Sequence, residues 1–142
     1  MYTIAKEFHF DASHMLHKHN GKCQNLHGHT YRLIVEVKGP LIDQGPNNGM
    51  ILDFSTLKSL VKQHLLCYLD HAFLYDEYNE NEVKIANLLK QMDLKVHAFP
   101  GRTTAELMSK YIYDRLSSYL PLTMVKLWET PSSYCEYRKG AL

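Results

Sequence analysis

The chain has 142 residues, 45% of them hydrophobic and 22% charged, with a net charge of +1. That length suits one domain, residues 1–142, with a core of its own. A charge so close to zero gives no electrostatic case for nucleic acid or an anionic membrane surface.

The opening stretch "MYTIAKEFHF" lacks the basic-then-apolar pattern of a signal peptide, and no apolar run approaches the ~20 residues of a membrane span. A cytoplasmic protein is the expectation. Residues 2–10 read as a strand, with Ile4, Phe8 and Phe10 sharing one parity. A histidine-rich stretch follows, carrying His14, His17, His19, His27 and His29. Residues 29–38 alternate as a second strand, with Tyr31, Leu33, Val35 and Val37 on one side.

"DQGPNNG" at 43–49 is turn chemistry. Beyond it, Leu57, Leu60, Val61, Leu65 and Tyr68 recur at helical spacing, with Asp53 or Ser55 as the cap. Cys67 lies beside that stripe and reads as core. Another apolar-periodic segment lies near 82–92. From about 104 to 119 runs a stronger helix, with Leu107, Met108, Tyr111, Ile112, Leu116 and Tyr119 on one stripe. Thr103 and Glu106 have the spacing of a capping box for it. Short strands at 123–129 and 134–138 close the pattern. The order predicts an α+β fold: helices on one face of a four-stranded antiparallel sheet, whose exposed edges favour oligomerisation.

The three cysteines, Cys23, Cys67 and Cys135, are odd in number and widely spaced. They suit a reducing compartment better than a disulfide framework. Residues i and i+2 of a strand project to the same side, so His27 and His29 would point together. His14 would join them if the first two strands pair antiparallel. Three imidazoles suit Zn²⁺ and leave a fourth position open. Spacing alone leaves a metal site and solvated histidines both open. His9, His17, His19, His64 and His97 are read as solvated polar residues. Cys23, four residues before His27, is either a fourth ligand or a group held off the metal.

"FHFDASHML", "KCQNLHGHTY", "NGMILDFSTLK", "LDHAFL", "TTAEL" and "KLWETPSSYCEY" occur in that order. The set resembles the 6-pyruvoyltetrahydropterin synthase / 6-carboxytetrahydropterin synthase family from Phe8 to Tyr137. The C-x-x-x-H-G-H spacing is similar to the bacterial carboxy-forming branch, which serves queuosine biosynthesis. The resemblance implies the tunnelling fold, with sheets from three subunits closing a barrel and two trimers stacking into a homohexamer. It implies zinc on His14, His27 and His29, and a catalytic set of Cys23, Asp70 and His71. Glu129 would bind the pterin, with Glu106 and Thr104 near its pocket.

The implied reaction converts 7,8-dihydroneopterin triphosphate to 6-carboxytetrahydropterin, acetaldehyde and triphosphate. The alternatives are triphosphate elimination alone, as in 6-pyruvoyltetrahydropterin synthase, or a non-catalytic module that binds zinc and pterin. Without the resemblance, Asp70 and His71 read as helix-terminal polar residues and Glu129 as a strand-end charge. Two departures stand out: Arg102 and Thr103 where relatives carry Asn-Pro, and the bulky Tyr134 where many carry a small residue. Arg102 is a candidate contact for the triphosphate.

Overall fold

In the computed structural model, which describes residues 1–140, six strands form one sheet in the order β4-β3-β1-β2-β5-β6. Strand β1 (Tyr2–His14) pairs antiparallel with β2 (His27–Gly39), and β2 with β5 (Leu122–Thr130). Strand β6 (Ser133–Tyr137) pairs antiparallel with β5.

The alternation that marked β1 and β2 is the alternation of burial. Phe8, Phe10, Ala12 and His14 face the core from β1, and Tyr31, Leu33, Val35 and Val37 face it from β2. The register sets Phe10 opposite Tyr31, their rings stacked with centroids 4.9 Å apart. Continued to the strand ends, it sets Ala12 opposite His29 and His14 opposite His27.

The other two strands correct the four-stranded antiparallel expectation. Strands β3 (Ala72–Asp76) and β4 (Val96–Phe99) run parallel to one another, and β3 runs parallel to β1. The helix between them, α3 (Glu80–Gln91), makes the crossover that two parallel neighbours require. Every residue of β3 is buried, so it shows no period of two. Strand β4 has only four residues.

The helices also depart from the expected single layer. Helix α1 (Phe54–Val61) starts at Asp53, whose carboxylate accepts from Ser55 N–H. It passes through a π-turn at Lys62–Leu66 into a last short turn, α2 (Cys67–Leu69). Together with α4 (Ala105–Leu116), these cover the main core through Leu57, Val61, Leu65, Leu69, Met108, Ile112 and Leu116. Truncating one such leucine to alanine costs about 2–5 kcal/mol. On β3, Ala72 and Leu74 face that core, whereas Phe73 and Tyr75 pack with Ala86 of α3 in a second cluster. Helix α3 therefore covers the opposite face.

Smaller corrections follow from side-chain direction. Cys67 is exposed, its Sγ donating to the Gln63 carbonyl at 3.0 Å. Leu107 and Tyr119 are exposed, and Tyr113 takes the buried place on α4. No helix among the described residues is long and apolar enough to cross a membrane.

Candidate metal centre and adjoining groove

The three histidines meet where the β1–β2 ladder ends. Their ring nitrogens lie within 4.8 Å of one another, a group that Cys23 Sγ does not join. Backbone partners fix two of the tautomers. His14 Nδ1–H donates to the Thr103 carbonyl at 2.9 Å, with Thr103 Oγ1 at 3.1 Å. His27 Nδ1–H donates to the Asn25 carbonyl at 2.7 Å. Each Nε2 is left as a lone pair facing inward, which is how ligating imidazoles are usually held.

His27 Nε2 and His29 Nε2 stand 3.1 Å apart, close to the roughly 3.3 Å between two nitrogens on one tetrahedral zinc. His14 Nε2 is buried with no hydrogen-bond partner. Burial, and then the neighbouring His27, lower the His14 pKa to about 4 and lower that of His29 as well. Neutral imidazoles are the form a metal needs, so the donor set fits zinc.

Thr103 is the site residue that sequence reasoning missed. The expected capping role belongs instead to Thr104, whose hydroxyl accepts from Leu107 N–H at 3.3 Å. Thr103 is fully buried and turns its oxygens to His14. The only signal was its place just ahead of a helix.

Glu129 approaches from β5. The β5–β6 ladder shifts register between Trp128 and Thr130, so Glu129 lies at a bulge, a device that re-aims side chains near sites. Its carboxylate comes within 4.0 Å of His14 Nε2. Burial, and then Glu106, raise its pKa. Glu129, Thr104, Glu106, Tyr134 and Cys135 line a cavity of about 240 Å³. The Tyr134 ring rests beneath Lys126 Nζ, 3.9 Å from the centroid, and beside Trp128.

Asp70 and His71 stand at the helix-to-strand junction between α2 and β3. His71 Nδ1 lies 3.0 Å from Asp70 Oδ1, an oxygen that accepts from Asp11 N–H. His71 has a φ of 62°, the left-handed region that side chains seldom adopt. His71 opens on a groove of about 600 Å³ lined also by Asp11, Gly28, His29 and Thr30. Gly28, His29 and Thr30 also line a second groove, which reaches Glu129. Cys23 sits half-buried in a 3₁₀ turn, Lys22–Gln24, and does not line the His71 cavity. Arg102 Nη2 donates to the His17 carbonyl at 3.3 Å.

Two of the histidines read as solvated are engaged elsewhere. His97 is half-buried against Tyr111, and His64 stacks on Tyr119 with centroids 3.6 Å apart.

The sequence profile of the 6-pyruvoyl tetrahydropterin synthase family matches residues 3–140. The chain belongs to that family. It is 50% identical over 141 residues to the 6-carboxy-5,6,7,8-tetrahydropterin synthase of Haemophilus influenzae, covering 98% of this chain and 100% of that one. The Bacillus subtilis protein of the same name is 31% identical, covering 99% and 89%. Among solved structures, the 6-pyruvoyl tetrahydropterin synthase of Caenorhabditis elegans superposes with a TM-score of 0.69 at 24% identity, covering 98% of this chain and 96% of that one. That likeness concerns the fold.

Proposed function

We propose that this protein is a zinc-dependent lyase converting 7,8-dihydroneopterin triphosphate to 6-carboxytetrahydropterin, acetaldehyde and triphosphate. The observation that carries the reading is the 50% identity, over the whole of its length, to the Haemophilus influenzae 6-carboxy-5,6,7,8-tetrahydropterin synthase. On this reading the reaction belongs to queuosine and deazapurine biosynthesis in the cytoplasm.

His14, His27 and His29 hold the zinc, which supplies Lewis-acid polarisation of the substrate's side-chain oxygens. Glu129 takes the pterin edge, because two oxygens in one plane can accept from the ring N–H and the exocyclic amine together. Thr104 and Glu106 border the same pocket. Cys23 and His71 move protons along the dihydroxypropyl side chain. The Asp70 carboxylate, 3.0 Å from His71 Nδ1, orients and polarises the imidazole as it exchanges protons with substrate.

Incubation with 7,8-dihydroneopterin triphosphate and mass spectrometry of the products tests the reading. Acetaldehyde and 6-carboxytetrahydropterin are expected. Triphosphate release without acetaldehyde would make it a pyruvoyl-forming enzyme. Pterin binding without turnover would make it a binding module.

A further inference from the structure

The helix that leads to Asp70 and His71 carries a defect. Between α1 and α2 the chain makes a π-turn at Lys62–Leu66. Such turns insert one residue into an α-helix and concentrate at functional sites. Each residue of an α-helix accounts for about 100° of rotation. Reverting the π-turn to α would therefore swing everything beyond it, including Asp70, by roughly that angle.

One side chain grips the turn. Arg115 of α4 donates from Nε to the His64 carbonyl at 2.6 Å. Its guanidinium lies over the Tyr68 ring, 4.5 Å from the centroid, and Tyr68 is two residues before Asp70. Nη1 donates to the Tyr111 hydroxyl at 3.0 Å. That hydroxyl is in turn hydrogen-bonded to His97 Nε2 at 2.8 Å. His97 lies on β4 opposite Leu74 of β3, and β3 begins one residue after His71. Arg115 thus ties down the chain on both sides of the catalytic pair.

The pair needs such restraint. A non-glycine residue in the left-handed region persists only where its surroundings over-determine it. The direct ties are His71 N–H donating to the Asp11 carbonyl at 2.6 Å, Lys95 Nζ donating to the Asp70 carbonyl at 2.5 Å, Asp11 N–H donating to Asp70 Oδ1 at 3.0 Å, and Asp70 N–H donating to the Leu66 carbonyl at 2.9 Å. The first three act at the junction itself, and the fourth continues the helix into it. None holds the His64 carbonyl inside the π-turn, as Arg115 does.

We infer that Arg115 is a positioning residue, clamping the π-turn so that Asp70 and His71 are held in the strained geometry that presents the imidazole to the groove. The inference rests on the proposed role of His71 in proton transfer.

The test compares Arg115→Met, which keeps the apolar stem and loses every donor, with Arg115→Lys, which keeps one donor for the His64 carbonyl. The readouts are the His71 imidazole resonances by NMR, zinc content, kcat and KM. Arg115→Met should lower kcat at least about tenfold, as small displacements of a reacting group do, with KM within about twofold. Zinc content should be unchanged, and the His71 resonances should move toward those of Asp70→Ala. Arg115→Lys should recover part of both changes. If Arg115→Met does not fold, Arg115→Lys and Tyr111→Phe carry the same comparison. A folded variant with unmoved His71 resonances or an unchanged kcat overturns the inference. If the unaltered protein turns over no pterin triphosphate, the proposed function fails, and the resonances still judge Arg115.

Discussion

His14 Nδ1–H donates to the backbone carbonyl of Thr103, 89 positions along the chain, at 2.9 Å. The bond joins the end of β1 to the start of α4 and fixes which nitrogen of His14 faces the other two imidazoles. A partner of this kind typically sustains 10–100-fold in metal affinity. Thr103→Val keeps the carbonyl and loses only the hydroxyl, so zinc affinity should fall by no more than about tenfold in a chelator-competition titration. His14→Ala, His27→Ala and His29→Ala should lose the metal almost completely by elemental analysis. His17→Ala and His19→Ala should keep it, since neither joins the cluster. Zinc retained in the first three would sink the assignment.

Glu129→Gln leaves one acceptor oxygen where the pterin edge needs two. The expected cost is about 1.5–3 kcal/mol of pterin affinity, the range for hydrogen bonds to charged groups. Calorimetric titration with a pterin ligand checks it. Equal affinities in the two proteins would remove Glu129 from the binding role.

Strands β4 and β6 end the sheet with no further neighbour among the described residues. Unpaired edges of that kind invite pairing with another copy. Assembly into a hexamer of two barrel-forming trimers is expected. A stable, active monomer in sedimentation at low concentration would refute it.

The readable parts of this chain were those where a period exposes itself. Strands β1 and β2 alternate because only one face of each is buried, and the stripe of α4 follows from the same asymmetry. The His14, His27 and His29 cluster was legible for that reason: it extends the alternation of Phe10 and Tyr31 to the strand ends. Strand β3 hid because both its faces are covered, so "AFLYD" has no period to read. The roles of Thr103 and His97 hid because they depend on long-range packing. Thr103 acts through its carbonyl as much as its side chain, and His97 meets Tyr111 across 14 positions.

His97 gives a pH dependence. Burial, then Arg115 and Lys95, lower its pKa to about 4, against about 6.5 in an unfolded chain. The unfolded state therefore binds the extra proton first as pH falls. The stability that His97 contributes as a neutral residue is complete above about pH 6.5 and drains away down to about pH 4. The amide introduced by His97→Gln would accept from the Tyr111 hydroxyl without titrating. Denaturant unfolding between pH 7 and 4 should show a shallower loss of stability for that variant. Parallel curves would exclude His97 as an acid-sensitive element.

Cys23 precedes His27 by four residues and carries a soft thiolate ligand, so chemistry alone would permit a closed three-histidine, one-cysteine site. Such a site would leave no position for substrate. Its Sγ stands outside the group formed by the three imidazoles, and the 3₁₀ turn that carries it is anchored independently, with Leu16 N–H donating to the Cys23 carbonyl at 2.9 Å. Removing the thiol should then leave both turn and metal in place. Cys23→Ala is expected to fold, retain its zinc and bind substrate. Its turnover should fall at least about a hundredfold, the lower end of what a general acid–base group contributes. Cys23→Ser should fall nearly as far, because a hydroxyl is a much weaker acid than a thiol at neutral pH. Zinc content and single-turnover kinetics on the same preparations separate the two roles. Loss of zinc from Cys23→Ala would make the cysteine a ligand, and retention of zinc with normal turnover would leave it no part in the chemistry.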